Sequence, residues 1–183
     1  MCIRDSLNDY YYKDIPNGLK LTHLVYNNVG SHFERGELLF EKRYLRIVPL
    51  IEHIQLPLIK INSNLDSFYK DSKDRNLGYG QTHTLRNASI PFLLQNGIKC
   101  FYYASDYSNN LLFVGETTEI AHINPIILSQ LSSESLDLIS VGGEYTRVQK
   151  TMIVANIPES YKNLDVCLAP RQDGSCLLYT SPS

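Results

Sequence analysis

The chain has 183 residues, 43% of them hydrophobic, with 17 Lys and Arg against 19 Asp and Glu and a formal charge of -2. That length supports one sizeable core and excludes two ordinary domains joined by a linker. A pI near 6.2 excludes a global attraction to nucleic acid or to an anionic membrane, and no local basic patch stands out to replace it.

No apolar run reaches the roughly eighteen residues of a membrane span, and Arg4, Asp5, Asp9, Lys13 and Asp14 occupy the place of a signal core. A cytoplasmic protein is expected. Cys2, Cys100, Cys167 and Cys176 then read as thiols or metal ligands rather than as a disulfide framework. The ends "MCIRDS" and "CLLYTSPS" resemble translated sequencing-adapter read-through. On that reading residues 1–6 and 176–183 are non-native tails, and residues 7–175 are a fragment of a single α/β domain.

In chain order, "LKLTHLVYNNV" (19–29) is rich in β-branched and aromatic residues and reads as a strand. A helix is expected next, with Phe40, Tyr44, Ile47, Val48 and Ile51 at helical spacing and Pro49 kinking or splitting it. "LPLIKINSN" is a short strand, and residues 65–82 are polar and Gly-containing, as in a long surface loop or lid. "HTLRNASIPFLLQNG" predicts a helix disturbed by Pro91 and closed by Gly97, followed by the strand "IKCFYYASDY".

Beyond the loop "SNNLLFVGETTEIAH", Asn124 can cap a helix with Pro125 at its first position. The strand "LDLISVGG", the helix "TRVQKTMIVANIP" and a short strand "NLDVCL" complete the pattern. Strands alternating with helices predict an α/β fold with a parallel sheet and helices on both faces. Ligands of such sheets sit at the carboxyl ends of the strands. Here those ends are "NNVGSH", "NSN", "SDYS" and "VGGEYTR", polar or Gly-containing stretches that suit a small anion or nucleotide.

No complete dinucleotide fingerprint or Walker loop occurs. Gly142 and Gly143 lie between a strand and a helix, where backbone N–H groups can receive a phosphate, although a tight turn needs glycine anyway. Arg147 and Lys150 are three apart on the following helix and can flank a phosphate, with a solvated helix face as the plainer reading. His32 follows the first strand as a possible ligand contact or acid–base group. Arg86 and Asn87, placed at a helix start, suit phosphate or ribose, or equally a helix-start hydrogen bond.

His23 and His53 suit solvent or a satisfied core position. His83 and His122 flank loops without carboxylate or cysteine at metal-ligand spacing. Cys100 reads as a buried small hydrophobe. Cys167 and Cys176 supply two of the four ligands that a structural zinc site needs.

Taken in order, these pieces resemble the PP-loop ATP pyrophosphatases of the adenine nucleotide alpha-hydrolase (HUP) superfamily, and within them the 7-cyano-7-deazaguanine synthase group. "LVYNNVGSHFERGE" is similar to that family's second strand and Gly-Gln-x-His turn, keeping Gly30 and His32. "TLRNASIPFLL" keeps Arg86 and Asn87 of its Arg-Asn helix, and "VQKTMIVANIP" keeps Lys150, Ile153 and Val154 of its Lys-x-x-Ile-Val helix. "NLDVC" stands where the family has the first of four zinc cysteines, which makes Cys167 a candidate ligand, with Cys176 at a spacing that suits a second.

The resemblance implies a Rossmann-like domain that binds ATP with Mg²⁺, adenylates a small-molecule carboxylate with release of pyrophosphate, and then admits an amine or ammonia. It implies Gly30, His32, Arg86, Asn87, Gly142, Gly143, Arg147 and Lys150 as nucleotide contacts, and Zn²⁺ in a full-length parent only. The chain departs from the family in lacking the Ser-Gly-Gly-x-Asp-Ser phosphate loop, in carrying Met152 for an acidic residue, and in its 108–122 loop. The expectation is therefore a relative with another substrate, inactive in this form. The alternatives are a non-catalytic nucleotide-binding module of the same fold, or an α/β domain with no nucleotide role.

Overall fold

The computed structural model describes residues 16–31, 36–70, 77–156, 158 and 161. Four strands, β1 (Leu24–Asn28), β2 (Leu58–Asn62), β3 (Cys100–Ala104) and β4 (Asp137–Val141), alternate with α1 (Gly36–Ile54), α2 (Leu65–Lys70), α3 (Tyr79–Leu94), α4 (Asn124–Leu131) and α5 (Arg147–Ala155). Short 3₁₀ turns at Asn17–Leu19, Asn109–Leu111 and Ile120–Ile123 fill the connections.

The strands pair in parallel as expected of alternating elements, but in two separate pairs. β1 pairs with β2, Leu24 opposite Leu58 and Asn28 opposite Asn62, and β3 pairs with β4, Cys100 opposite Asp137 and Ala104 opposite Val141. One core nevertheless serves both. Val25 and Val29 of the first pair are clustered with Phe101 and Leu138 of the second, together with Ala88 and Ile90 of α3 and Leu128 of α4. Each such buried aliphatic or aromatic side chain contributes roughly 1.5–3 kcal/mol.

Pairing of β1 with β2 is braced by α1. Tyr26 stacks on Phe40 at 4.6 Å between centroids and donates its hydroxyl to the Phe40 carbonyl at 3.0 Å. Lys60 reaches across to Glu41 at 2.7 Å and lies 4.1 Å from the centre of the Tyr44 ring. The helix runs unbroken through Pro49, which therefore does not split it. Pro49 is exposed, and Leu45, whose carbonyl loses its intrahelical donor there, is 68% exposed, so the missing bond falls on the solvent side of the helix.

Three further boundaries differ from the sequence pattern. The expected 65–82 lid contains α2 and the first turn of α3, because Gln81 reaches back to accept the Gly78 N–H at 3.1 Å and so starts the helix early. Pro91 stays inside α3, where its near-complete burial in the core compensates the lost backbone bond. Asn124 is the first residue of α4 rather than its cap: its side-chain oxygen accepts from Thr84 at 2.6 Å instead of from the helix. α5 begins as its sequence suggests, with Thr146 and Gln149 in a reciprocal capping box. The expected final strand at "NLDVCL" lies outside the described residues.

Candidate site at the strand ends

Three polar centres line up along the carboxyl ends of the strands. The first is built on β1. Asn28 donates to Asn62 at 2.9 Å, Ser63 donates to the Asn28 carbonyl at 2.5 Å, and the chain then turns at Gly30 with φ of +96°. A Cβ there would stand 2.7 Å from Arg86 Nη1 and 2.7 Å from Asp66 Cβ, so glycine is required both by backbone sign and by close approach.

Arg86 fills the space above that turn. It is 3% exposed, donates from Nε to Thr82 at 2.8 Å and from Nη1 to the Val29 carbonyl at 3.2 Å, and meets Asp66 at 3.3 Å. Its guanidinium also lies 4.1 Å from the centre of the Tyr69 ring. Arg86 is the eighth residue of α3, not a helix-start residue, because the helix opens at Tyr79. Its hydrogen bonds go to the turn that follows β1, to α2 and to its own helix, so it fastens these three together.

The second centre runs along the adjacent stripe of α3. Asn27 donates to Asn87 Oδ1 at 3.0 Å, and Asn87 donates in turn to the His83 carbonyl at 2.8 Å and to the Tyr103 hydroxyl at 3.5 Å. His83 lies inside α3 rather than flanking a loop; its Nε2 meets Glu119, and its Nδ1 is 3.3 Å from Tyr103 Oη. If Nε2–H is given to the carboxylate, the Nδ1 of a neutral imidazole is left to accept from the Tyr103 hydroxyl. Burial pushes the Tyr103 phenol far above its ordinary range and raises that of Tyr79 as well.

The Tyr103–His83–Glu119 chain was not anticipated from the sequence. A signal was present: Tyr79, His83 and Asn87 recur every four residues, as do Thr82 and Arg86, which places polar groups in two adjoining rows on one side of a helix.

The third centre joins β3, β4 and α5. Lys150 is 5% exposed and donates from Nζ to the Ser105 carbonyl at 2.7 Å and to Ser105 Oγ at 2.8 Å. Both acceptors are neutral, and among the described residues no carboxylate forms an ion pair with it. Gly142 beside it has φ of +81°, and a Cβ there would lie 3.5 Å from Nζ. The Gly143 carbonyl accepts from Asn109 at 2.7 Å, tying the β4 turn to the loop after β3.

Arg147 does not join Lys150. Three residues turn a helix by about 300°, leaving the two side chains roughly 60° apart, and at the edge of the buried stripe this separates an exposed Arg147 from a buried Lys150. The solvated-face reading therefore applies to Arg147 alone.

His23 and His53 are exposed, and His122 stacks on Tyr107 at 4.0 Å. Cys100 is half-buried, not fully buried, with its thiol pKa raised by burial. His32, Cys167 and Cys176 lie outside the described residues. Among the described residues no cluster of three His, Cys, Asp or Glu side chains could hold a metal ion, and no helix is long and apolar enough to cross a membrane. Comparison with protein-family models, curated proteins and solved structures gives no match.

Proposed function

We propose that this chain is a nucleotide-binding α/β domain of the PP-loop kind, part of a doubly wound parallel sheet, which takes the phosphates of ATP at the carboxyl ends of β3 and β4. The observation that carries the reading is Lys150, a buried ammonium whose hydrogen bonds among the described residues go to the neutral oxygens of Ser105. Burying a charge is costly unless an opposite charge accompanies it. A phosphate anion beside Gly142 would supply that charge, and the left-handed turn there keeps side-chain bulk away from the ammonium.

The order of the motifs that resemble PP-loop enzymes supports the same reading. Arg86 and Asn87 take a different part in it from the one the resemblance implies: they hold the strand ends in place from within. The missing Ser-Gly-Gly-x-Asp-Ser motif favours binding over turnover, so adenylation of a carboxylate is assigned to relatives that carry it.

Two measurements on the same protein test this. Saturating Mg-ATP is expected to raise the melting temperature, since a ligand at a hundredfold excess over Kd adds about 2.7 kcal/mol to the folded state. Incubation with ATP is expected to release no pyrophosphate. An unchanged melting temperature would contradict nucleotide binding, and sustained pyrophosphate release would contradict the non-catalytic assignment.

A further inference from the structure

The carboxamides of Asn27, Asn28, Asn87 and Asn124 are each hydrogen-bonded within the fold. Asn96 differs. It is exposed, its carboxamide takes no hydrogen bond among the described residues, and the residue after it is an exposed glycine. A Cβ built on Gly97 would meet the Leu94 carbonyl at 3.7 Å and nothing else within 4 Å, so no side chain crowds the peptide bond that joins Asn96 to Gly97.

An asparagine in that setting is open to attack by the main-chain nitrogen of the next residue. The Gly97 nitrogen, after giving its proton to hydroxide, bonds to Asn96 Cγ. The Cγ–Nδ2 bond breaks, and Nδ2 leaves as ammonia with a proton taken from water. Water then opens the resulting succinimide ring at one of its two carbonyls and leaves aspartate or isoaspartate. In isoaspartate the main chain runs through the former side chain and is one carbon longer.

The fold restrains this step without blocking it. The Gly97 N–H donates to the Leu94 carbonyl at 2.8 Å, and the Ile98 N–H shares that acceptor at 3.2 Å. Both bonds lie past Leu94, the last residue of α3. Helix ends fray, and opening there costs far less than unfolding the domain.

The product matters because the link from α3 to β3 is short and pinned at both ends. Leu94 holds it on the helix side. On the strand side Ile98 packs against the core cluster, and the Lys99 carbonyl accepts from Asp137 at 2.8 Å, where the pairing of β3 with β4 begins. A main chain lengthened by one carbon between these anchors has to shift Ile98 or give up one of the bonds. Plain aspartate keeps the normal chain and adds only a negative charge near the C-terminal end of α3, where the helix dipole opposes it.

We propose that Asn96 is a modification site of the folded chain, converted through a succinimide to aspartate and isoaspartate, and that the isoaspartate form loosens the junction of α3 with β3. The proposal is independent of nucleotide binding.

The test ages the full folded chain at mildly alkaline pH and maps its peptides by mass spectrometry, with a methyltransferase specific for isoaspartate as the second readout. Residue-level mapping separates Asn96 from the other Asn-Gly pair, Asn17–Gly18. Conversion at Asn96 should be slower than in a synthetic peptide of residues 93–99 by no more than about a hundredfold, an opening cost of about 2.7 kcal/mol. Gly97→Ala, which the open surroundings accommodate, should slow conversion by at least about tenfold, because a Cβ restricts the backbone swing that ring closure needs. The urea midpoint should fall from the parent to Asn96→Asp and further to the aged fraction enriched in isoaspartate.

An Asn96 amide that stays intact in the folded chain while the peptide and the urea-unfolded chain are modified would overturn the site. So would equal rates in the parent and Gly97→Ala. An isoaspartate fraction as stable as Asn96→Asp would overturn the effect on the junction.

Discussion

Arg86 Nη1 and Asp66 Oδ1 meet at 3.3 Å against the hydrogen-sized space left by Gly30. The ion pair and the glycine are one feature, because only a residue without Cβ lets the guanidinium reach both the carboxylate and the Val29 carbonyl. Gly30→Ala combines a left-handed backbone with contacts of 2.7 Å, and is expected to destabilise the fold by about 1–3 kcal/mol or more. Arg86→Met removes the ion pair with Asp66 and the donor to the Val29 carbonyl, and should cost about 3 kcal/mol. Urea denaturation midpoints at unchanged slope read both effects, and values within error of the parent would contradict this role.

The buried phenol of Tyr103 predicts a fall in stability at alkaline pH. Its pKa in the folded state is raised well above the ordinary 10.0, and that of Tyr79 is raised in the same direction, both first by burial. Above about pH 10 the unfolded chain releases these protons while the folded chain retains them, so stability is fully present below that pH and declines as pH rises beyond it. One such tyrosine contributes a slope of about 1.4 kcal/mol per pH unit. Tyr103→Phe should remove that share of the slope. A parallel decline in parent and variant between pH 10 and 11 would contradict the prediction.

Among the described residues two buried polar atoms, Asn124 Nδ2 and Ser140 Oγ, have no hydrogen-bond partner. An unsatisfied buried hydroxyl opposes folding by about 1–3 kcal/mol, so Ser140→Ala should raise the urea midpoint, by the equivalent of about 1 kcal/mol once the lost packing of the oxygen is counted. Asn124 differs, because its oxygen accepts from the fully buried Thr84. Asn124→Ala is therefore expected to destabilise. The opposite order of the two variants would contradict this account of the core.

How far the sequence speaks for the fold depends on which interactions decide each element. The cores of the four described strands were legible from β-branched and aromatic runs, and α5 from its place after the Gly142–Gly143 turn, because these signals are local. The first turn of α3 was not, since the Gly78–Gln81 contact that starts it lies in a polar stretch resembling a loop. Pro49 misled because its effect depends on which side of the helix faces water.

At the site, Gly30 was legible as a turn glycine, but the reason for it lies 56 residues away in Arg86. Lys150 was legible as a cation on a helix, and its burial was not, because Ser105 reaches it only through the pairing of β3 with β4. The division of the strands into two pairs left no sequence signal at all, since pairing partners are chosen by tertiary contact.

Calorimetric titration of the chain with pyrophosphate, beside Lys150→Met, tests most directly whether Lys150 is an anion-binding ammonium. Methionine has similar length and no charge, so it relieves an uncompensated buried cation. The parent is expected to bind saturably, the variant to bind at least tenfold more weakly and, without ligand, to be no less stable than the parent. Equal pyrophosphate affinity in the two proteins, or a variant that fails to fold while the parent binds no anion, would contradict that role.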